Sequence, residues 1–245
     1  MRGVHVMTQT IFNMPCAFIT PITISIIPAI TAQLTTGDLV AAKKTEEAAA
    51  RITGLVSIPC AIGLAVLARP ITALLAGYTG EKLDLATKLM TILGFCVFFN
   101  AVVLVSTAIM QAHGHVTRPV INMVVAGCLR LICVYVLSGN PAIGIVGAPI
   151  SNLTCYVIIF LLNLLAIRQL FEDAPAIVPN VLRPLLSGLL MGACALASYR
   201  CLLALGIHSK LLLCALPVCV GGIVYVAAII FLKVLRREDC LLLPK

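Results

Sequence analysis

Long apolar runs separated by short polar breaks recur from one end of the chain to the other. Each run is about 20 residues long, the length a helix needs to cross a hydrocarbon core of roughly 30 Å. Seven stand out, at about 8–31, 52–68, 89–111, 119–137, 142–167, 184–205 and 210–232. The pattern predicts an all-α polytopic transmembrane helical bundle, a single lobe over residues 1–245. The longest connection, about 32–51, has no room for a soluble domain. Within it "TGDLVAAKKTEEAAARI" predicts a short surface helix with Asp38 as N-cap and Glu47 and Arg51 paired at i, i+4. Glu81 to Lys88 reads as a lead-in to the third span.

The first run breaks the pattern, because "PCAFITPITISIIP" places Pro15, Pro21 and Pro28 inside one span. A proline removes an amide donor and crowds the preceding turn, at about 3 kcal/mol in a water-exposed helix interior. In a bilayer the stripped backbone groups need partners from neighbouring helices, hydroxyls or a wet cavity. Thr20, Thr23 and Ser25 stand beside the prolines, with Gln9 and Asn13 a turn or two before them. Interrupted spans point to transport sites. Two readings follow: a hinge at Pro15, Pro21 and Pro28 that flexes along a central cavity, or a static kink that fits the bundle.

Composition supports the membrane reading: 11% of residues are charged and 61% hydrophobic, where soluble domains carry roughly 25% charged. The net charge of +8 sits at span ends and not in a patch interleaved with aromatic residues, so no nucleic-acid partner is expected. Eleven cysteines without a CxxC pair read as small packing residues of a reduced protein. Connections on one side carry Lys43, Lys44, Arg51, Arg118, Arg168, Arg183, Lys233, Arg236, Arg237 and Lys245; the other side has Arg2, Arg69, Lys82, Lys88, Arg200 and Lys210. The basic excess marks the cytoplasm, which puts the C-terminus inside and the N-terminus outside. The uncharged turn "LSGNPAIG" suits an external hairpin. An external N-terminus without a signal peptide is natural if an odd number of spans precedes residue 1, so the chain reads as the C-terminal part of a longer transporter.

All nine acidic residues fall in connections or tails, and all four histidines at span ends. Without an intramembrane carboxylate, an aspartyl or metal-dependent intramembrane protease is not expected. Ser106 and Ser151 have no general base, so no catalytic constellation, enzyme activity or cofactor is expected. His113 and His115 flank Gly114 but bring no further ligand, which argues against a metal.

One charge does lie inside a span. Arg130, in "INMVVAGCLRLICVYVL", is about 16 Å beyond Pro119 at 1.5 Å per residue. Asn122, Ala126 and Arg130 share one helix face at i, i+4 and i+8. The guanidinium either holds a diphosphate in its fork or escapes by snorkelling or by pairing with backbone carbonyls. Asn100, Thr107 and Gln111 form a similar stripe, lining a cavity or bonding a neighbouring helix. Asn13 and Thr23 complete the set of cavity-lining candidates. Gly188 and Gly192 form a GxxxG packing signal, and the sequon at Asn152 lies within a span.

Four stretches then carry a resemblance along the whole chain: "FNMPCAFITPITISIIPAITAQLTTGD", "IPCAIGLAVLARPITALLAG", "STAIMQAHGHVTRPVINMVV" and "GNPAIGIVGAPISN". In this order they resemble the stage V sporulation protein B type of polysaccharide flippase, within the multidrug, oligosaccharidyl-lipid and polysaccharide exporter superfamily. The resemblance implies a two-lobed transporter of fourteen helices, of which the chain supplies the C-terminal half. It implies flipping of a lipid-linked oligosaccharide or cell-wall precursor across the bacterial cytoplasmic membrane by alternating access. The implied partners are that lipid-linked sugar, membrane lipids, and a missing N-terminal lobe or a second copy. Related lipid II flippases hold a cation in this lobe with the help of carboxylates. Asn122 matches an asparagine of that site, but Ala126 stands where an acidic partner would help, so sodium coupling is not carried over. Two alternatives stay open: a multidrug antiporter of the same superfamily, and a non-transporting scaffold for envelope or spore-wall synthases.

Overall fold

The structure is a computed structural model and describes residues 2–139, 143–171, 173–207 and 209–232. Lys233, Arg236, Arg237 and Lys245 of the charge count lie outside it, as do Glu172, His208 and the middle of the "LSGNPAIG" turn. The described chain runs α1 (Arg2–Thr35), α2 (Leu39–Val66), α3 (Ala68–Leu75), α4 (Gly80–Ala112) and α5 (Thr117–Gly139). A 3-10 turn (Gly144–Val146) leads into α6 (Gly147–Leu170), followed by α7 (Ile177–Leu182), α8 (Leu185–Ala204) and α9 (Lys210–Phe231). No strand occurs among the described residues. Seven helical stretches are long and apolar enough to cross a membrane, so the chain is an all-α polytopic bundle.

The connections are shorter than the hydropathy suggests. The expected surface helix is no separate element: α2 starts at Leu39 and runs unbroken to Val66. Asp38 does cap it, accepting from the Ala41 amide at 2.9 Å. Glu81 to Lys88 likewise forms the first turns of α4, whose 33 residues reach about 50 Å and project beyond the hydrocarbon. Hydropathy marks where a helix is apolar, while caps and propensity decide how far it continues into water.

One end of the bundle holds the α1–α2, α4–α5 and α6–α7 connections and is called here the His113 face; the other holds α3. Helix α4 is the axis, packed by α1, α2, α3 and α6. In α4, 61% of the most apolar window is buried, against 6% in α5, which leans on α6 at the periphery. Gly94 lets α4 close on α2, since a Cβ there would stand 2.8 Å from the Ala61 carbonyl oxygen and 2.9 Å from the Ala65 nitrogen. Gly188 and Gly192 fit α8 against Ile58 and Ile62 of α2, which gives the GxxxG pair its packing partner.

Helix α1 passes through all three prolines without interruption. Pro21 and Pro28 are exposed on one face, together with Asn13. The hydroxyls do not serve the carbonyls that proline strips, which are those four residues earlier: Ile11, Ala17 and Ile24. Thr20 donates to Cys16 O at 2.9 Å, Thr23 to Thr20 O at 2.8 Å and Ser25 to Ile22 O at 2.8 Å. The reason is local: a helical Ser or Thr reaches back three or four residues to its own turn. Only Thr20 sits where that reach could meet a stripped carbonyl, that of Ala17 three residues back, and its hydroxyl takes Cys16 O four residues back instead.

Candidate functional site

Three helices meet through side-chain amides and hydroxyls within their apolar spans. Asn163, in the "LLNLLAI" stretch of α6, is fully buried. Its Oδ1 accepts from Asn122 Nδ2 of α5 at 2.9 Å. Its Nδ2 donates to Ser106 Oγ and Thr107 Oγ1 of α4, each at 3.1 Å. Ser106 donates onward to Val103 O at 3.0 Å. A buried amide left without partners would be costly, and this one has three. Asn122 and Thr107, singled out from spacing, are thus joined by a residue that spacing did not single out.

Arg130 lies two turns beyond Asn122 on α5 and outside this network. It is exposed, and with nine residues to the end of α5 at Gly139 it stands about 14 Å from that end. Between Asn122 and Arg130, Ala126 packs fully buried against Val103, Cys155 and Ile159. One face of α5 therefore carries in succession a hydrogen bond, a packing contact and an open charge.

The remaining candidates do not converge on Arg130. Asn100 donates to Cys16 Sγ at 3.4 Å, joining α4 to α1. Gln111 is half-buried near the end of α4, and Asn13 is exposed on α1. Thr23 is buried with its hydroxyl on its own helix. Pro15 lines an apolar groove of about 350 Å³, shared with Pro59 and Gly63 of α2, Met191 of α8, and Pro217 and Gly221 of α9. Among the described residues, no three His, Cys, Asp or Glu side chains come together as a metal site requires.

A second polar cluster lies at the His113 face. Glu46 of α2 is 3% exposed and stands 2.6 Å from His113 Nε2. The His113 ring stacks on Phe171, with centroids 4.1 Å apart. Lys43 pairs with Asp173, and Glu47 accepts from the Ala176 amide at 3.2 Å. Arg51, 2% exposed, donates to Asn180 Oδ1 at 3.0 Å, and Asn180 donates to Ala176 O at 2.8 Å. A cleft of about 440 Å³ opens beside Lys43, Glu46, His113 and Phe171. The sequence held one signal compatible with this cluster: Glu46 sits near Ala42, Ala48, Ala49 and Ala50, residues small enough to let neighbouring elements close on the helix.

These features define a multi-pass helical membrane protein in which, among the described residues, Asn163, Asn122, Ser106 and Thr107 join helices and Arg130 stands exposed. Residues 6–220 match the family described as "Lipid II flippase MurJ", a stretch that takes in every helix from α1 to the first half of α9. The chain belongs to that family, within the superfamily to which its sequence motifs pointed. No individual curated protein matches it.

Proposed function

We propose that the chain is one lobe of a flippase that carries a lipid-linked cell-wall precursor across the cytoplasmic membrane. The observation that carries this reading is the family match over residues 6–220. Arg130 gives it chemistry. A charge at this depth is expensive against acyl tails and is found facing a cavity or a partner. The lobe itself leaves the Arg130 region of α5 and the Asn13, Pro21 and Pro28 face of α1 uncovered.

In this reading both faces look onto a cavity shared with a second lobe, either a preceding N-terminal one or another copy. Arg130 forks onto the diphosphate of the substrate. Asn122, Asn13, Asn100 and Gln111 line the walls, with Thr23 behind them. The apolar groove at Pro15 takes up part of the lipid tail, and Pro15, Pro21 and Pro28 let α1 bend between states. The basic excess puts the His113 face in the cytoplasm. The motif order further supports the stage V sporulation protein B type.

The test is translocation of a fluorescent polyprenyl-diphosphate sugar in vesicles that contain the full-length protein. Wild type should move it, Arg130→Ala should slow it at least about tenfold, and Arg130→Lys, which keeps charge without the fork, should fall between. No movement by wild type, or equal rates for wild type and Arg130→Ala, refutes the reading.

A further inference from the structure

Glu46 stands in the second turn of α2, 3% exposed, among small apolar neighbours. A carboxylate so far from water is costly unless a charge or a hydrogen bond meets it. His113, the residue that ends α4, meets it at 2.6 Å. At that distance the imidazole and the carboxylate share a hydrogen bond, which is an ion pair when the ring carries its second proton. The imidazole also stacks on Phe171, which ends α6. One side chain thus ties together the start of α2, the end of α4 and the end of α6.

This contact differs from a static bridge in its access to solvent. The His113 side chain is 22% exposed where that of Glu46 is 3%, and the cleft opens against both. Of the two, the ring presents the larger surface to water. Imidazole is the side chain whose charge ordinarily changes between about pH 5 and 8. The neighbouring charges have described partners of their own. On α2, Lys43 pairs with Asp173 of the α6–α7 link, Glu47 binds the Ala176 amide and Arg51 binds Asn180. On the α4–α5 turn, His115 is tilted toward the same Phe171 ring, with centroids 6.1 Å apart.

We propose that Glu46 and His113 form a proton-binding latch. With the imidazole protonated and the carboxylate ionised, the ion pair holds the three helix ends together. When the proton leaves, the buried carboxylate faces a neutral ring and the start of α2 loosens from the α4–α5 turn. The latch deepens the flippase reading by giving the lobe an input from pH at its His113 face, and its use in transport rests on that reading.

Hydrogen exchange, read by mass spectrometry on the full-length protein in lipid nanodiscs, tests the latch. Rates are corrected for intrinsic pH dependence, and peptides are followed at the start of α2 and across the α4–α5 turn. Protection in wild type should fall by about tenfold between roughly pH 6 and pH 8, the scale of losing the charge on a hydrogen bond. Peptides from α8, which carries no such pair, should not change. His113→Gln keeps a donor that does not titrate, so its protection should be flat, and Glu46→Gln should behave alike. A flat wild-type profile overturns the latch, as does a His113→Gln variant with the wild-type pH response. Should either variant fail to fold, the wild-type profile against α8 still decides. A wild type that responds to pH but moves no lipid-linked sugar counts against the flippase reading and leaves the latch standing.

Discussion

Replacing Asn163 by Leu should weaken the bundle more than any single polar change on α5. The substitution roughly preserves volume and removes three interhelical hydrogen bonds at 2.9, 3.1 and 3.1 Å. Interhelical bonds of this kind average about 0.6 kcal/mol in a bilayer, so three give about 2 kcal/mol, with roughly 5 as the ceiling if each reached the largest measured value. Ser106 keeps its bond to Val103 O and so limits the loss. Asn122→Ala removes only one of the three bonds from a half-buried position, and should cost about 0.6 kcal/mol. The assay is reversible unfolding in mixed micelles, with wild type, both single variants and the double variant forming a thermodynamic cycle. The double variant should be no less stable than Asn163→Leu, because the bond Asn122 contributes is already gone. A loss under about 0.5 kcal/mol for Asn163→Leu, or costs for the two variants that simply add, would show that the amide cluster is incidental to the packing.

Glycine positions separate contact from composition. Gly94→Ala should destabilise by about 1–3 kcal/mol, because its Cβ meets the α2 backbone and α4 must move away. Gly127→Ala, with nothing within 4 Å, should be neutral or slightly stabilising, and the same unfolding assay reads both. Asp38→Ala should fray the start of α2 and cost about 1 kcal/mol, seen as faster amide exchange at Ala41. Replacing Pro21 and Pro28 together by alanine should stiffen α1 and slow translocation while raising thermal stability; unchanged translocation would sink the hinge.

The seven spans were legible in the sequence because apolar length is nearly the whole requirement for crossing a bilayer, and the match between run and helix follows from that. Asp38 was legible because a cap is a local event. Asn163 was not, because its partners stand 41, 56 and 57 residues away and a lone amide in a leucine run has no spacing to read. Glu46 was assigned to a solvated connector because Lys43, Lys44 and Glu47 surround it. What buries it comes from the end of α4 and the α6–α7 link, 67 residues on for His113. The proline run shows a different kind of error. Its hydroxyls were identified, but the carbonyls they reach are decided by helix geometry and not by proximity in sequence.

Hydrophobic periodicity loses its power in helices such as α5. Only Pro119 and Ala126 are buried there, yet every side of the helix is apolar, since lipid and protein neighbours ask for the same residues. In water the exposed face of a helix announces itself by polarity; in a bilayer it does not. The information then shifts to exceptions. Asn122 marks the side of α5 that meets α6, because its amide finds Asn163 there. Arg130, on the same face and two turns on, has passed beyond the buried contact at Ala126 and stands exposed. A charge at that depth distinguishes a face turned to lipid from one turned to a cavity or partner, a distinction no count of leucines can make. On the proposed reading the uncovered part of α5 faces the transport cavity, and Arg130→Ala is the substitution that tests it.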